Sequence, residues 1–380
     1  MQRRAFLTTA ALGSTTAITL GSGQAFGQAT DSDIGGKLPT LQWRMATSWP
    51  KKLDILFGGA ETICRRVSDM TQGRFTITPY ASGEIASGLD VLKVVSEGSV
   101  ECGHTASYYY TEQVPALAFG TNVPFGLTTA QQNAWLYYGG GLEAMHKLYQ
   151  PFNIINFPAG NTGVQMGGWM RRRLDTLADF QGLKMRIPGL GAQVMSRLGV
   201  EVKVLAADEI APALIHGAID AAEWNNPYDD EKIGLTKAAP YYYYPGWWEP
   251  GATYELQINQ SQWDALPLQY QEALKTAAAE VNTTMPARYN AKNGKVLAKL
   301  QHGDLELVAF TPEIMQAAYQ ISFDLYTEYA AQDPAFRKIY EQWNQFRQEI
   351  YTWNRVNELS FDTFVMSRFQ QTSLTQNTLG

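Results

Sequence analysis

The chain has 380 residues, 45% of them hydrophobic, and a formal net charge of −6 that becomes −8 once the first 29 residues, with two arginines and no acids, are set aside. That balance excludes nucleic acid as a partner. No stretch beyond the N-terminus offers the 18 or so continuous apolar residues of a spanning helix, and about 350 remaining residues exceed one ordinary core, so two lobes are expected.

In chain order, "MQRRAFLTTAALGSTTAITLGSGQAFGQA" (1–29) has a charged start, an uncharged region of small and apolar residues, and small-residue cleavage candidates after Ala25 or Ala29. That is an export signal. Arg3-Arg4 followed by Ala5-Phe6-Leu7 gives it a twin-arginine character, with an ordinary secretory signal as the alternative. A soluble periplasmic protein follows. The only cysteines, Cys64 and Cys102, read as buried thiols rather than a disulfide, and neither is placed to carry a lipid anchor.

Residues 41–49 and 74–80 read as strands around a helix over 53–71, a βαβ unit of an α/β fold. In such sheets ligands collect beyond the carboxyl ends of the strands. "EGSVECGHT" (97–105) and "HGAIDAAEW" (216–224) echo one another, each a helix end, a Gly turn and a short buried strand. They deliver Tyr108, Tyr109 and Tyr110 in one case, and Glu223 to Asn226 in the other, to strand ends. Between them lies a glycine-rich crossing, Gly160 to Gly168, whose longer polar side chains are Asn161 and Gln165; glycines suit close approach or a hinge. The strand "LKMRI" ends at Arg186, which can fork two N–H groups onto a carboxylate or sit at the surface. Taken alone, Glu223 and Glu249 read as capping or turn acids, and Asp229, Asp230 and Glu231 as a solvated helix start. Phe336, Ile339, Trp343, Phe346, Ile350 and Trp353 recur at helical spacing, a long stripe that must pack against something.

The combination "GNTGVQMGGW", "DFQGLKMRIPG", "DAAEWNNPYDDEK" and "YYYYPGWWEPG" resembles the solute-binding receptors of TRAP (tripartite ATP-independent periplasmic) transporters, the DctP family, and within it the 2-oxo acid-binding TakP type. The likeness covers nearly the whole chain. "GLKMR" marks the superfamily broadly, whereas "EW..PYDDEK" with "YYYYPGWWE" is more selective. The resemblance implies a two-lobed periplasmic-binding-protein fold with a hinge and a long C-terminal helix. Lobe I would comprise 38–158 and 253–300, lobe II 159–252, and 301–380 helices spanning the lobes and a dimer interface. It also implies no enzyme activity but capture of a small 2-oxo monocarboxylate, pyruvate-like, together with a cation. The loaded receptor would deliver both to the small and large TRAP membrane subunits for ion-driven uptake.

By the same resemblance Arg186 clamps the ligand carboxylate, and Asn161, Gln165, Trp224 and one tyrosine contact the ligand, Tyr109 with Tyr108 as the alternative. Glu223, the Trp224 carbonyl, Glu249 and Gln165 hold the cation, and the final helix makes a homodimer. Charge counting agrees. Two carboxylates and an anionic ligand against Arg186 alone leave two uncompensated negative charges, expensive to bury without a metal. Oxygen donors suit sodium or calcium rather than zinc, and the 2-oxo acid branch implies sodium. The alternatives are a lactate or other 2-hydroxy acid receptor using calcium, an ABC-type receptor, and a metal-dependent oxo-acid enzyme. Trp49 and Asn225-Asn226 depart from the family pattern by bulk, and are expected to narrow the pocket toward pyruvate.

Overall fold

The computed structural model describes residues 38–377, so the export signal read in 1–29 lies outside the described residues. The chain opens with β1 (Leu41–Thr47), a helix over Leu56–Met70 and β2 (Phe75–Tyr80), the two strands parallel. The helix forms where the sequence puts Phe57, Ala60, Ile63, Cys64 and Val67 three and four apart, and that face is the buried one. Then follow β3 (Cys102–Thr105) and β4 (Ile154–Asn161) of the same sheet. The chain next builds β5 (Trp169–Met170), β6 (Lys184–Arg186), β7 (Glu201–Lys203), β8 (Ala221–Ala222) and β9 (Tyr241–Tyr244) of a second sheet. It returns as β10 (Thr253–Asn259) to the first sheet, and adds β11 (Glu306–Ala309) to the second.

The sheets run β2-β1-β3-β10-β4 and β11-β9-β5-β8-β6-β7. Each carries the same device. A parallel trio, β2-β1-β3 or β7-β6-β8, meets an antiparallel strand that arrives from the other lobe, β10 beside β3 and β5 beside β8. The echoed segments 97–105 and 216–224 lead into β3 and β8, which occupy the same place in their sheets. Two short crossings, 162–168 and 245–252, join the lobes, and the chain passes a third time along the helix Leu268–Gln301 between β10 and β11. The first sheet holds β4 through Asn161, because β4 stays paired with β10 to Thr253.

A 34-residue helix, Leu268–Gln301, packs its first half on β4 and on the Leu56–Met70 helix, then meets the short helix Pro227–Ile233 of the second lobe. Helices Pro312–Gln332, Pro334–Val356 and Glu358–Asn377 follow. Of the aromatic stripe, Phe336, Ile339 and Trp343 are buried against the chain's own core, with Phe119 5.3 and 5.4 Å from Phe336 and Trp343. Each such side chain contributes about 1.5–3 kcal/mol of burial. Trp353, at the far end, is 61% exposed. Cys64 and Cys102 are both buried and free. No helix among the described residues is long and apolar enough to cross a membrane.

One expectation is overturned. Asp229 and Asp230 do not lie in a solvated turn: they are buried at the start of the Pro227–Ile233 helix. Each turns inward onto phenols brought from elsewhere, Tyr289 for Asp229 and Tyr242 for Asp230. Glu231 alone of the three faces outward, paired with Lys299.

Candidate ligand and cation site

Arg186 ends β6, and Glu223 follows β8 directly; the strands are parallel neighbours with Arg186 opposite Ala222, so the two side chains emerge together at the carboxyl ends. Arg186 Nη1 donates to Glu223 Oε2 and to the Glu223 carbonyl, both at 2.7 Å, while the Glu223 N–H donates back to the Arg186 carbonyl at 3.0 Å. Both side chains are fully buried. Arg186 Nη2 and Glu223 Oε1 have no hydrogen-bond partner among the described residues. The guanidinium lies 5.1 Å from the Trp224 ring centroid.

The crossings bring the remaining groups. Met166 N–H donates to the Asn225 carbonyl at 3.1 Å and Gly246 N–H to the Gln165 carbonyl at 3.0 Å, tying both crossings to the Glu223 loop. Gly246 must be glycine, since a Cβ there would lie 2.5 Å from the Met166 carbonyl oxygen. Gly168, at φ +84°, is pressed as closely against the Ala222 carbonyl. Gln165 Oε1 and Glu249 Oε2 are buried without partners, as Glu223 Oε1 is. Burial pushes the Glu223 carboxyl up to about 8 despite Arg186 beside it. It raises the Glu249 carboxyl well above its ordinary range too, reinforced by the charge of Glu223 and opposed by Arg186 and Gln165.

These groups fit a cation. The orphaned oxygens of Glu223, Glu249 and Gln165, with the Trp224 carbonyl in the same loop, form an all-oxygen set of mixed charge. Among the described residues no cluster of three His, Cys, Asp or Glu side chains exists that would suit zinc instead.

The first lobe supplies an aromatic wall. Tyr108 and Tyr109 sit in the helical turn after β3, their rings 4.7 Å apart. Burial raises both hydroxyls, and the Arg186 charge pulls Tyr109 back down. The strongest charges on Tyr108 all push it further up. Trp49, just after β1, is anchored by its Nε1 to His104 Nδ1 at 2.7 Å and packs 6.5 Å from Tyr109 and 4.7 Å from Tyr254. A cavity of about 550 Å³ opens beside Tyr108, Tyr109 and Gly189.

Three placements differ from the sequence reading. Asn161 has both ends of its amide engaged: Oδ1 accepts from Thr129 Oγ1 and Gly163 N–H, and Nδ2 donates to Thr253 Oγ1 and the Gly251 carbonyl. It stitches the two crossings together. Asn225 and Asn226 are both engaged within the chain. Their amides turn to Asp229 and Tyr289, and to the Thr162 carbonyl, bracing the crossing. Tyr254 joins the wall unforeseen, because in "TYELQIN" it has the pattern of any strand residue facing a core.

The model of the bacterial extracellular solute-binding proteins, family 7 (DctP), matches residues 45–333. The chain belongs to the DctP family. It is 56% identical, over 97% of its length and all of the relative's, to the monocarboxylate 2-oxoacid-binding periplasmic protein of Nostoc sp. PCC 7120. Two solved structures are also similar. A TRAP transporter solute-binding protein of Bordetella bronchiseptica is 43% identical at TM-score 0.87, covering 88% of this chain and 99% of that one; it is a mixed-occupancy dimer with copurified calcium and picolinate in one active site. One from Pseudoalteromonas atlantica is 34% identical at TM-score 0.82, covering 85% and 98%, with bound sodium and pyruvate. This DctP-family chain is therefore a solute receptor of the TRAP type and not an enzyme.

Proposed function

We propose that this receptor works in the periplasm, captures a small 2-oxo monocarboxylate such as pyruvate together with a sodium ion, and hands both to TRAP membrane subunits. The observation that carries the reading is one spare arginine nitrogen, Arg186 Nη2, and three orphaned buried oxygens, Glu223 Oε1, Glu249 Oε2 and Gln165 Oε1, on residues that interact with one another. An acid ligand completes Arg186. A bound cation would supply the positive charge that lets two buried carboxylates face an anionic ligand.

In this reading Arg186 orients the ligand carboxylate, Tyr109 caps it from the first lobe, and the Trp224 ring covers the guanidinium. Glu223, Glu249, Gln165 and the Trp224 carbonyl hold the cation, and Asn161 keeps the crossings in register. Ligand binds between the lobes and favours the closed form by its contacts to both. The named ligand class of the Nostoc relative and the sodium–pyruvate pair of the Pseudoalteromonas neighbour support the choice of acid and ion.

The test is calorimetry on protein stripped of ligand and metal, with pyruvate or lactate titrated in sodium, in calcium and in neither. Tight pyruvate binding in sodium, weak binding without a cation, and ligand recovered unchanged are expected. Preference for lactate in calcium sinks the choice of acid and ion.

A further inference from the structure

We infer that Asp230 is a positioning residue for the cation: by holding the amide of the Trp224–Asn225 peptide it aims and strengthens the Trp224 carbonyl as a ligand. The inference rests on the cation site proposed above. Asn225 N–H donates to Asp230 Oδ1 at 3.2 Å. The Trp224 carbonyl and the Asn225 N–H belong to one planar trans unit and point in opposite directions. A carboxylate fixed at the N–H end therefore sets where the carbonyl at the other end points. Its charge also draws the peptide's electron density toward the oxygen, making it a better donor to a cation.

Asp230 cannot swing away. Its Oδ2 accepts from Tyr242 Oη at 2.6 Å and from Trp169 Nε1 at 2.9 Å, and those two rings stack 4.1 Å apart. The rest of Asn225 is pinned as well. Its carbonyl accepts from Met166 N–H, next to Gln165, and its side chain donates to Asp229 Oδ2 at 3.1 Å. Tyr289 of the long helix donates to that same Asp229 oxygen at 2.5 Å.

A carboxylate is needed for this, not merely an acceptor. Helix-start acids ordinarily face water, where they interact with the helix dipole at little desolvation cost. Asp230 is 1% exposed and has no cationic partner among the described residues, a placement that costs stability unless its charge is used. An asparagine at 230 would set an NH2 group against either the Tyr242 and Trp169 donors or the Asn225 N–H.

The experiment uses the mature chain, stripped of metal and ligand. Sodium and calcium affinities are read from thermal stabilisation by the cation alone and from pyruvate calorimetry across a cation titration. Asp230→Asn should weaken cation affinity by about tenfold to a hundredfold, with pyruvate affinity at saturating cation returning to within about twofold of the parent. Tyr242→Phe removes a clamp but keeps the Asn225 bond, so it should lower melting temperature while moving cation affinity less than about threefold. Asp230→Asn with parental cation affinity overturns the inference. Parent protein that binds pyruvate equally with and without either cation overturns the cation site itself, a different result.

Should Asp230→Asn not fold, the parent reports the same peptide by NMR. The chain has three Trp–Asn peptides, 224–225, 343–344 and 353–354, so carbonyl-13C tryptophan with 15N asparagine gives three correlations. The two in the Pro334–Val356 helix serve as references. Adding the cation should move the 224–225 correlation and leave those two in place. A 224–225 correlation that the cation does not move overturns the inference.

Discussion

Arg186 gives Nη1 to Glu223 and leaves Nη2 without a partner among the described residues, so in the proposed site this one side chain joins the cation half to the ligand half. Arg186→Ala should abolish pyruvate binding. Arg186→Lys keeps the charge but loses the fork, and should weaken binding by about tenfold to a hundredfold. Glu223→Ala should leave residual binding that no longer responds to cation. Calorimetry on the three variants decides, and parental binding by the two alanine variants would sink both roles. From its strand end Arg186 could be read as a carboxylate clamp, whereas Glu223 taken alone reads as a capping acid and takes its expected role only from the family resemblance. Asp230 was not legible. A pair of acids after Asn226-Pro227 has the pattern of an exposed helix start, and the partners that draw it inward, Tyr242 and Trp169, come from strands that only the fold brings near. The aromatic wall hid Tyr254 in the same way, since a strand buried on both faces has no period to mark one residue as different.

At the scale of elements, the lobes are clasped away from the ligand by a cluster that no motif announces. Asp54, just ahead of the Leu56–Met70 helix of the first lobe, accepts from Tyr228 Oη at 3.1 Å and pairs with Lys232, both on the Pro227–Ile233 helix of the second. Arg288 and Lys292 of the long helix close the cluster, the first 3.6 Å from Asp54 and the second donating to Tyr228 Oη at 2.8 Å. Every member is partly exposed, so the clasp is weak, on the order of 1 kcal/mol. Asp54→Asn should therefore raise the dissociation rate of pyruvate by about twofold to fivefold and leave the association rate nearly unchanged. Stopped-flow tryptophan fluorescence measures both, and added salt should shrink the difference between variant and parent. An equal dissociation rate at low salt refutes the clasp. The βαβ unit and the strand ending at Arg186 could be read from periodicity and turn residues, which are local signals. A contact between residues 54 and 232 depends on how two lobes close, and nothing local encodes it.

At the scale of the whole molecule, two properties follow from what is buried and what is not. Burial pushes the carboxyls of Asp229, Asp230 and Glu255 up to about 7 each, so the folded chain holds these protons more tightly than the unfolded one. Their contribution to stability is complete below about pH 4 and is lost as pH rises through 7. Melting temperature of the stripped protein should thus fall between pH 5 and 8. Glu255 accepts hydrogen bonds from Tyr149, Asn156 and Gln257 but has no cationic side chain beside it among the described residues. Glu255→Gln should flatten the slope by up to about 1.4 kcal/mol per pH unit, and an unchanged slope refutes the assignment. The second property is association. The inner half of the aromatic stripe is satisfied by the chain's own core, but beyond Trp353 the helix Glu358–Asn377 presents Phe361 and Phe364, 67% and 60% exposed, on one face with Val365. A helix of that length is marginal in water on its own, and an apolar face so open marks a partner. A second copy of the chain on this face would make a symmetric dimer, which is testable. Deleting residues 358–380, or combining Phe361→Glu with Phe364→Glu, should convert a dimer to a monomer in sedimentation equilibrium. Pyruvate affinity should stay within about threefold of the parent, because the proposed site draws all its residues from one chain. A full-length chain that sediments as a monomer at micromolar concentration leaves that helix face to some other partner.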